Sequence, residues 1–243
     1  FCTAAFCIIY DIKFIRENMN IQNRKNMKNK RSNRSTNGKN TEFYIVYTVV
    51  FLLIALFLYL RFYLNGKSLV WSHDGVPQHL NSLSYYGRYL RGILYTIFVE
   101  HRFSIPMWDL HIGYGSDILT TLHYYVIGDP LTLLSVFCPS SKTEILYEFL
   151  IFLRIYLAGI AFSRYCFYHK NSRQATFMGC MIYIFAGWTI YAAMKHPYFS
   201  NPMIYLPLIL MGIDKIYKKE RPYLFIWSVA VAGLSSFYFF YML

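Results

Sequence analysis

Tyr44-Ile45-Val46-Tyr47-Thr48-Val49-Val50-Phe51-Leu52-Leu53-Ile54-Ala55-Leu56-Phe57-Leu58-Tyr59-Leu60 contains no charged side chain. A helix needs about 20 mostly apolar residues to cross the hydrocarbon of a bilayer. Extended to residue 64, with Arg61 reaching toward the headgroups, this stretch meets that length. Backbone polar groups in hydrocarbon must be satisfied within the segment, so the spanning form is a helix. Composition points the same way: 56% of the residues are hydrophobic, 20% aromatic and only 15% charged. A typical soluble domain carries about 25% charged residues. The expected fold class is all-α, a polytopic helical membrane protein.

Upstream lies a basic leader. The net charge is +12, and nine of the 24 Lys and Arg residues fall between Lys13 and Lys39. That clustering matches positive charge retained inside, next to anionic lipid, and it argues against a nucleic-acid partner. Residues 1–43 are expected to form a disordered cytoplasmic tail, with so few apolar residues over 11–41 that nothing there can be buried. Residues 1–10 are apolar but have no basic region before them and no small-residue cleavage site, so they make a poor signal peptide. The chain opens on Phe1, and Met19 or Met27 is the expected true start.

Downstream, residues 65–144 are expected to form a long outer loop. Apolar residues recur at Leu80, Leu83, Tyr86, Leu90, Ile93, Leu94 and Ile97, which is helical spacing with one apolar face. This predicts an amphipathic helix lying on the membrane surface, or one buried against the spans. Residues 124–137 are apolar but broken by Gly128-Asp129-Pro130, too short to cross, and are expected to be re-entrant or interfacial. Four further spans are expected within 145–243: 145–162, 175–194, 198–213 and 223–243. Basic residues at Arg164, Lys170 and Arg173, then at Lys215, Lys218, Lys219 and Arg221, fall on alternate loops. The N-terminus is therefore inside, and the long loop outside.

Several classes are disfavoured. There is no internal repeat, Walker loop, dinucleotide fingerprint or zincin pair. The five cysteines, Cys2, Cys7, Cys138, Cys166 and Cys180, contain no CxxC pair and suggest neither a disulfide framework nor a zinc site.

The candidate chemistry centres on Trp71-Ser72-His73-Asp74-Gly75-Val76-Pro77-Gln78. A carboxylate at a membrane face can act as a general base when it reaches the proton it removes. It can equally cap a helix. His73 is placed to orient Asp74, or is a loop histidine. Asp109 and Asp117 could position an acceptor or help hold a divalent cation, although aspartates beside glycine and proline are ordinary turn residues. Arg154 lies within a span, where a charge usually marks function. It is expected either to face a lipid phosphate or to pair with Glu148 or with a carboxylate on a further helix. Arg102, Lys195 and His196 are phosphate contacts or interfacial side chains. The many loop tyrosines and tryptophans fit an interfacial aromatic belt, with sugar stacking as the alternative.

The ordered set Gly66-Lys67-Ser68-Leu69-Val70-Trp71-Ser72-His73-Asp74-Gly75 with Gln78, then Pro106-Met107-Trp108-Asp109, Gly113-Tyr114-Gly115-Ser116-Asp117, Gly128-Asp129-Pro130, Pro202-Met203-Ile204 and Leu206-Pro207-Leu208 resembles the amino-terminal part of the bacterial YfhO membrane proteins. That family in turn resembles the GT-C glycosyltransferases, polytopic enzymes with a catalytic acid in the first outer loop. The resemblance implies a bacterial cytoplasmic-membrane enzyme. It would move a sugar from a polyprenyl-phosphate (undecaprenyl) donor to a cell-wall polymer such as lipoteichoic or wall teichoic acid. It implies Asp74 as the base; the candidate substrate contacts beside it are His73, Gln78, Arg102, Asp109, Asp117, Arg154, Lys195 and His196. It further implies membrane lipid around the chain, a cytoplasmic-side donor synthase and a flippase as partners. No particular cofactor is assigned, and a divalent cation is left open. Family members are longer than this chain, so further spans and an outer domain are expected beyond it. The alternatives are a flippase for the lipid-linked substrate, with Arg154 and the proline-bent fourth span as working parts, or a scaffold for wall-polymer assembly.

Overall fold

The computed structural model describes residues 41–235 together with 240 and 241. The basic tail expected over 1–43 lies outside the described residues as far as residue 40. The chain divides into two compact units, residues 1–52 and 53–243. In the first, the described residues are helical, and Phe43, Tyr47 and Phe51 stack at four-residue intervals, with ring centroids 6.5 and 6.3 Å apart. They open helix α1, Thr41–Leu64, which is long and apolar enough to cross a membrane. Its Leu53, Leu56 and Phe57 are exposed, as lipid-facing side chains would be.

The second unit is built on α4, Thr143–Tyr168. Around it pack α5 (Arg173–Phe185), α6 (Gly187–Lys195) and α7 (Asn201–Tyr217), and α8 (Tyr223–Ser235) packs on α7. Small residues set the approach distances. A Cβ on Gly212 would sit 2.7 Å from the Phe225 Cα, so α7 and α8 touch through backbone there. Ala158 and Cys180 are fully buried where α4 meets α5. Among the described residues two helices, α1 and α4 with its preceding turn, are long enough to cross, or three if α5 and α6 count as one bent span. The fold is an all-α membrane protein. Among the described residues its β structure is one antiparallel ladder, β1 (Trp108–Asp109) against β2 (Ser116–Asp117).

The third span, expected to run unbroken over 175–194, is two helices meeting at 44°. Ala186 takes an extended conformation (φ −58°, ψ 145°) that ends α5, and Gly187 restarts the helix. The Thr189 hydroxyl bridges the break by donating to the Tyr183 carbonyl at 3.1 Å.

The loop helix is real. A π-helical turn, Gly75–Leu80, leads into α2, Asn81–Phe98. Leu83, Tyr86 and Gly87 are buried, and a Cβ on Gly87 would come within 2.7 Å of the Ser135 carbonyl oxygen. α2 thus lies against the 3-10 segment Thr132–Phe137. Arg91 fastens it there by donating to the carbonyls of Ser135, Val136 and Cys138 at 3.0, 3.3 and 2.6 Å. The short α3, Ile118–His123, is capped by Asp117.

The loop and the helices are joined by a buried polar knot. Arg154 of α4 donates to Asp129 Oδ2 at 2.8 Å and to Asn201 Oδ1 at 2.9 Å. Asn201 donates to the same Asp129 oxygen at 2.9 Å, and the other Asp129 oxygen accepts from the Leu131 backbone at 2.9 Å. Arg154 and Asp129 are 2% and 1% exposed, so neither is left to water. Beside them Gly128 holds φ +93°, and a Cβ there would collide with the Leu234 carbonyl oxygen of α8.

Removing one partner of a buried pair leaves an uncompensated charge and costs about 3–5 kcal/mol, while an apolar double replacement is often neutral. We expect Asp129→Asn and Arg154→Gln each to lower the thermal unfolding midpoint of the detergent-solubilised protein sharply. Asp129→Leu with Arg154→Met should lower it less than either. Gly128→Ala should also destabilise, through the collision and the positive φ, in the same melting assay.

Candidate active site

Glu148 fixes where the Trp71–Gln78 stretch lies. Its carboxylate, buried on α4, accepts from the Leu69 backbone N–H at 2.9 Å and from the Tyr59 hydroxyl at 3.2 Å. The chain leaves α1 through Gly66, at φ +62°, and is tied to α4 at once. It then runs past the end of α6, where Lys195 Nζ lies over the Trp71 ring at 4.1 Å and over Tyr191 at 4.8 Å. Cation–π contact of this kind holds an ammonium without neutralising it.

Asp74 precedes the π turn, and its backbone carbonyl accepts from Gln78 and His79. Its side chain makes no capping hydrogen bond. One carboxylate oxygen instead accepts from Gln78 Nε2 at 3.2 Å, and the other lies 3.7 Å from His196 Nε2. Gln78 is oriented in turn by Tyr125, whose hydroxyl donates to Gln78 Oε1 at 2.9 Å. The Asp74 side chain is 37% exposed, so it is held yet reachable. His73 does not orient it. The His73 ring stacks on Trp71 at 5.1 Å, with Nδ1 3.4 Å from the Ser72 hydroxyl.

His196 sits among Trp71, Phe199 and His79, with ring centroids at 5.8, 4.9 and 5.0 Å. His79 is fully buried; Nδ1 is 3.4 Å from the Tyr147 hydroxyl, and Nε2 has no partner. Burial first, and the neighbouring His196 second, press its pKa down from 6.5 to about 4. His79 therefore stays neutral at pH 7 beneath the Asp74–His196 pair.

Next to Trp71 opens a cavity of about 500 Å³ lined by Phe62, Lys67, Val70, Trp71, Tyr191 and Lys195 among others. Among the described residues neither Lys67 nor Lys195 has an acidic partner. Two ammonium groups in an apolar recess, at the end of a membrane-crossing helix, suit an anion carrying a hydrocarbon chain.

The remaining candidates lie elsewhere. Arg102 is exposed and pairs with Glu100 at 2.9 Å. Arg154 is occupied by Asp129 and Asn201, not by Glu148. Asp117 accepts from the Thr120 backbone N–H at 2.7 Å, which lowers its pKa and makes it a helix cap. Asp109 accepts from the Tyr85 hydroxyl at 2.6 Å and from the His111 backbone at 2.8 Å, and these bonds hold it down to about 2. Among the described residues no cluster of three or more His, Cys, Asp or Glu could hold a metal ion.

Sequence reasoning assigned no role to His79, Lys67 or Trp71. Lys67 and Trp71 stood inside the quoted motif, but nothing in it showed that the end of α6 would meet them.

His79 gives a pH signature. Between pH 6.5 and about 4 the unfolded chain binds a proton there that the folded chain refuses. Stability should therefore fall as the pH drops through this window. We expect His79→Gln to flatten that part of the dependence of the unfolding midpoint on pH.

A family model described as bacterial membrane protein YfhO matches residues 46–243. A protein of Bacillus subtilis (strain 168) named "Uncharacterized protein YfhO" is 25% identical over 162 residues, covering 60% of this chain and 18% of that protein. The chain thus spans less than a fifth of that relative's length. No solved structure matches. Since the family model runs unbroken from within α1 through the Asp74 loop, α4 and α8, the chain belongs to the bacterial YfhO membrane-protein family.

Proposed function

We propose that this chain carries the base and the donor pocket of a membrane glycosyltransferase. The donor is a sugar on a polyprenyl phosphate, and the acceptor is a hydroxyl of a wall polymer such as lipoteichoic or wall teichoic acid. Transfer takes place at the outer face of the cytoplasmic membrane. One observation carries the reading: a reachable carboxylate, Asp74, stands beside a recess whose only cations, Lys67 and Lys195, lack acidic partners among the described residues. The resemblance to GT-C enzymes, with an acid in the first outer loop, supports the same assignment.

The chemistry follows from charge. Asp74 removes the proton of the acceptor hydroxyl as that oxygen attacks the anomeric carbon. The bond between that carbon and the phosphate oxygen breaks, and its electron pair leaves with the polyprenyl phosphate. Lys67 and Lys195 meet the charge that grows on the phosphate. Attack opposite the leaving group inverts the anomeric centre. Gln78 and His196 hold the carboxylate in place, and His196, beside it, steadies the charge until the proton arrives. The flippase alternative loses its main working part, because Arg154 is committed to Asp129 and Asn201.

In the full-length protein, Asp74→Asn should cut transfer of sugar to the polymer by roughly 10²–10⁴-fold, the usual worth of a general base. Protein level and the pool of lipid-linked donor should stay unchanged. Undiminished polymer glycosylation in a strain carrying only this variant would refute the assignment.

A further inference from the structure

A second cavity, of about 380 Å³, lies between α2 and the irregular segment 104–109, and its lining includes Tyr85, Arg88, Tyr89, Gly92, Trp108 and Asp109. We infer that it binds a hexose-type sugar ring. The site is distinct from the Asp74 site, since even Tyr85, the lining residue on α2 nearest to it in sequence, lies 11 residues further along the helical turns, or roughly 15 Å. The inference does not rest on the glycosyl-transfer reading.

The wall is preorganised. Tyr85 and Tyr89 follow at a four-residue interval on the face of α2 turned away from the buried Leu83, Tyr86 and Gly87. Their rings stack at 6.4 Å. Each phenol is used to hold the overlying segment: Tyr85 donates to Asp109 Oδ2 at 2.6 Å, and Tyr89 donates to the Pro106 carbonyl at 2.9 Å. The two rings are thereby held in place along the cavity wall. Trp108, 61% exposed, adds a third ring. The floor at Gly92 is bare backbone, and a Cβ there would meet nothing within 4 Å.

The polar groups select the ligand. Asp109 is a fixed, ionised acceptor. Arg88 is a planar donor whose described contact is the Ser84 hydroxyl at 3.5 Å, with no acid partner among the described residues. A sugar ring offers a patch of C–H groups to an aromatic face and a rim of hydroxyls to both charges, donating to one and accepting from the other. A lipid tail would desolvate the Asp109 carboxylate with nothing in return. A bare phosphate would meet that same carboxylate across a small cavity. An interfacial aromatic belt accounts for the rings but not for the pinned carboxylate and the unpaired guanidinium beside them.

The test uses the full-length protein in lipid nanodiscs, since alkyl-maltoside detergents carry sugar headgroups of their own. Saturation-transfer NMR would be recorded with a panel of methyl hexopyranosides, including the N-acetylhexosaminides, and with a disaccharide. A parallel arm would compare nanodiscs with and without a diglucosyl diacylglycerol. We expect transfer to at least one sugar, and about tenfold weaker binding (about 1.4 kcal/mol) in Gly92→Leu and Trp108→Ala. A Cβ at Gly92 has open space, so Gly92→Leu should keep the parent's unfolding midpoint, recorded in parallel, and Trp108→Ala serves as the second variant should it not. Asp74→Asn should bind sugar as the parent does, even where transfer is lost. Displacement of the soluble sugar by the glycolipid would identify a lipid-borne headgroup, and persistence of the signal would identify a polymer unit; both support the site. Absence of transfer to every sugar, or equal binding in Gly92→Leu, overturns it.

Discussion

One buried ion pair ties the long loop to the central helix within the second unit. Arg154 stands in the middle of α4, where an unpaired guanidinium would be costly, and Asp129 reaches it from the loop. Asn201, at the start of α7, binds both. Loop, central helix and following helix therefore meet at three side chains that satisfy one another. Because the knot is buried, each member depends on the other two, and the loop cannot lift away without exposing a charge to an apolar interior.

The same logic separates the carboxylates near the loop. Glu148 spends its carboxylate on the loop backbone at Leu69 and on Tyr59, so it is an anchor. Asp74 is the contrasting case, a carboxylate held by weak contacts and left open to solvent. The carboxylates differ in how fully their hydrogen bonds are satisfied. Glu148, Asp129, Asp109 and Asp117 are each bound by short contacts to backbone or fixed side chains, whereas Asp74 has one bond at 3.2 Å and a histidine at 3.7 Å.

Much of the fold was legible because hydrocarbon imposes simple demands. An uncharged run such as 44–60 can hardly be anything but a crossing helix, and the spacing from Leu80 to Ile97 marked α2. The knot was not legible. Asp129 sits between Gly128 and Pro130, a composition that reads as a turn, and its partners lie 25 and 72 residues away. Arg154 was recognisable as significant, but its partner depended on packing that no local pattern encodes. Asp117 caps α3 and Asp109 is held by Tyr85 and His111, contacts in keeping with their turn-forming surroundings. Within the candidate site, the loop half could be read from one motif, whereas Lys195 and His196 joined it only through the course of α6.

That course gives the bend at Ala186 its weight. α6 has 9 residues, so its tip stands about 13 Å from the pivot. Swinging it by about 10° would carry Lys195 and His196 roughly 2 Å sideways, more than a hydrogen bond tolerates. The distance between His196 and Asp74 is thus a readout of one angle set at Ala186, 10 residues before His196, and the Thr189 hydroxyl bound to the Tyr183 carbonyl is the strut that keeps the angle from drifting.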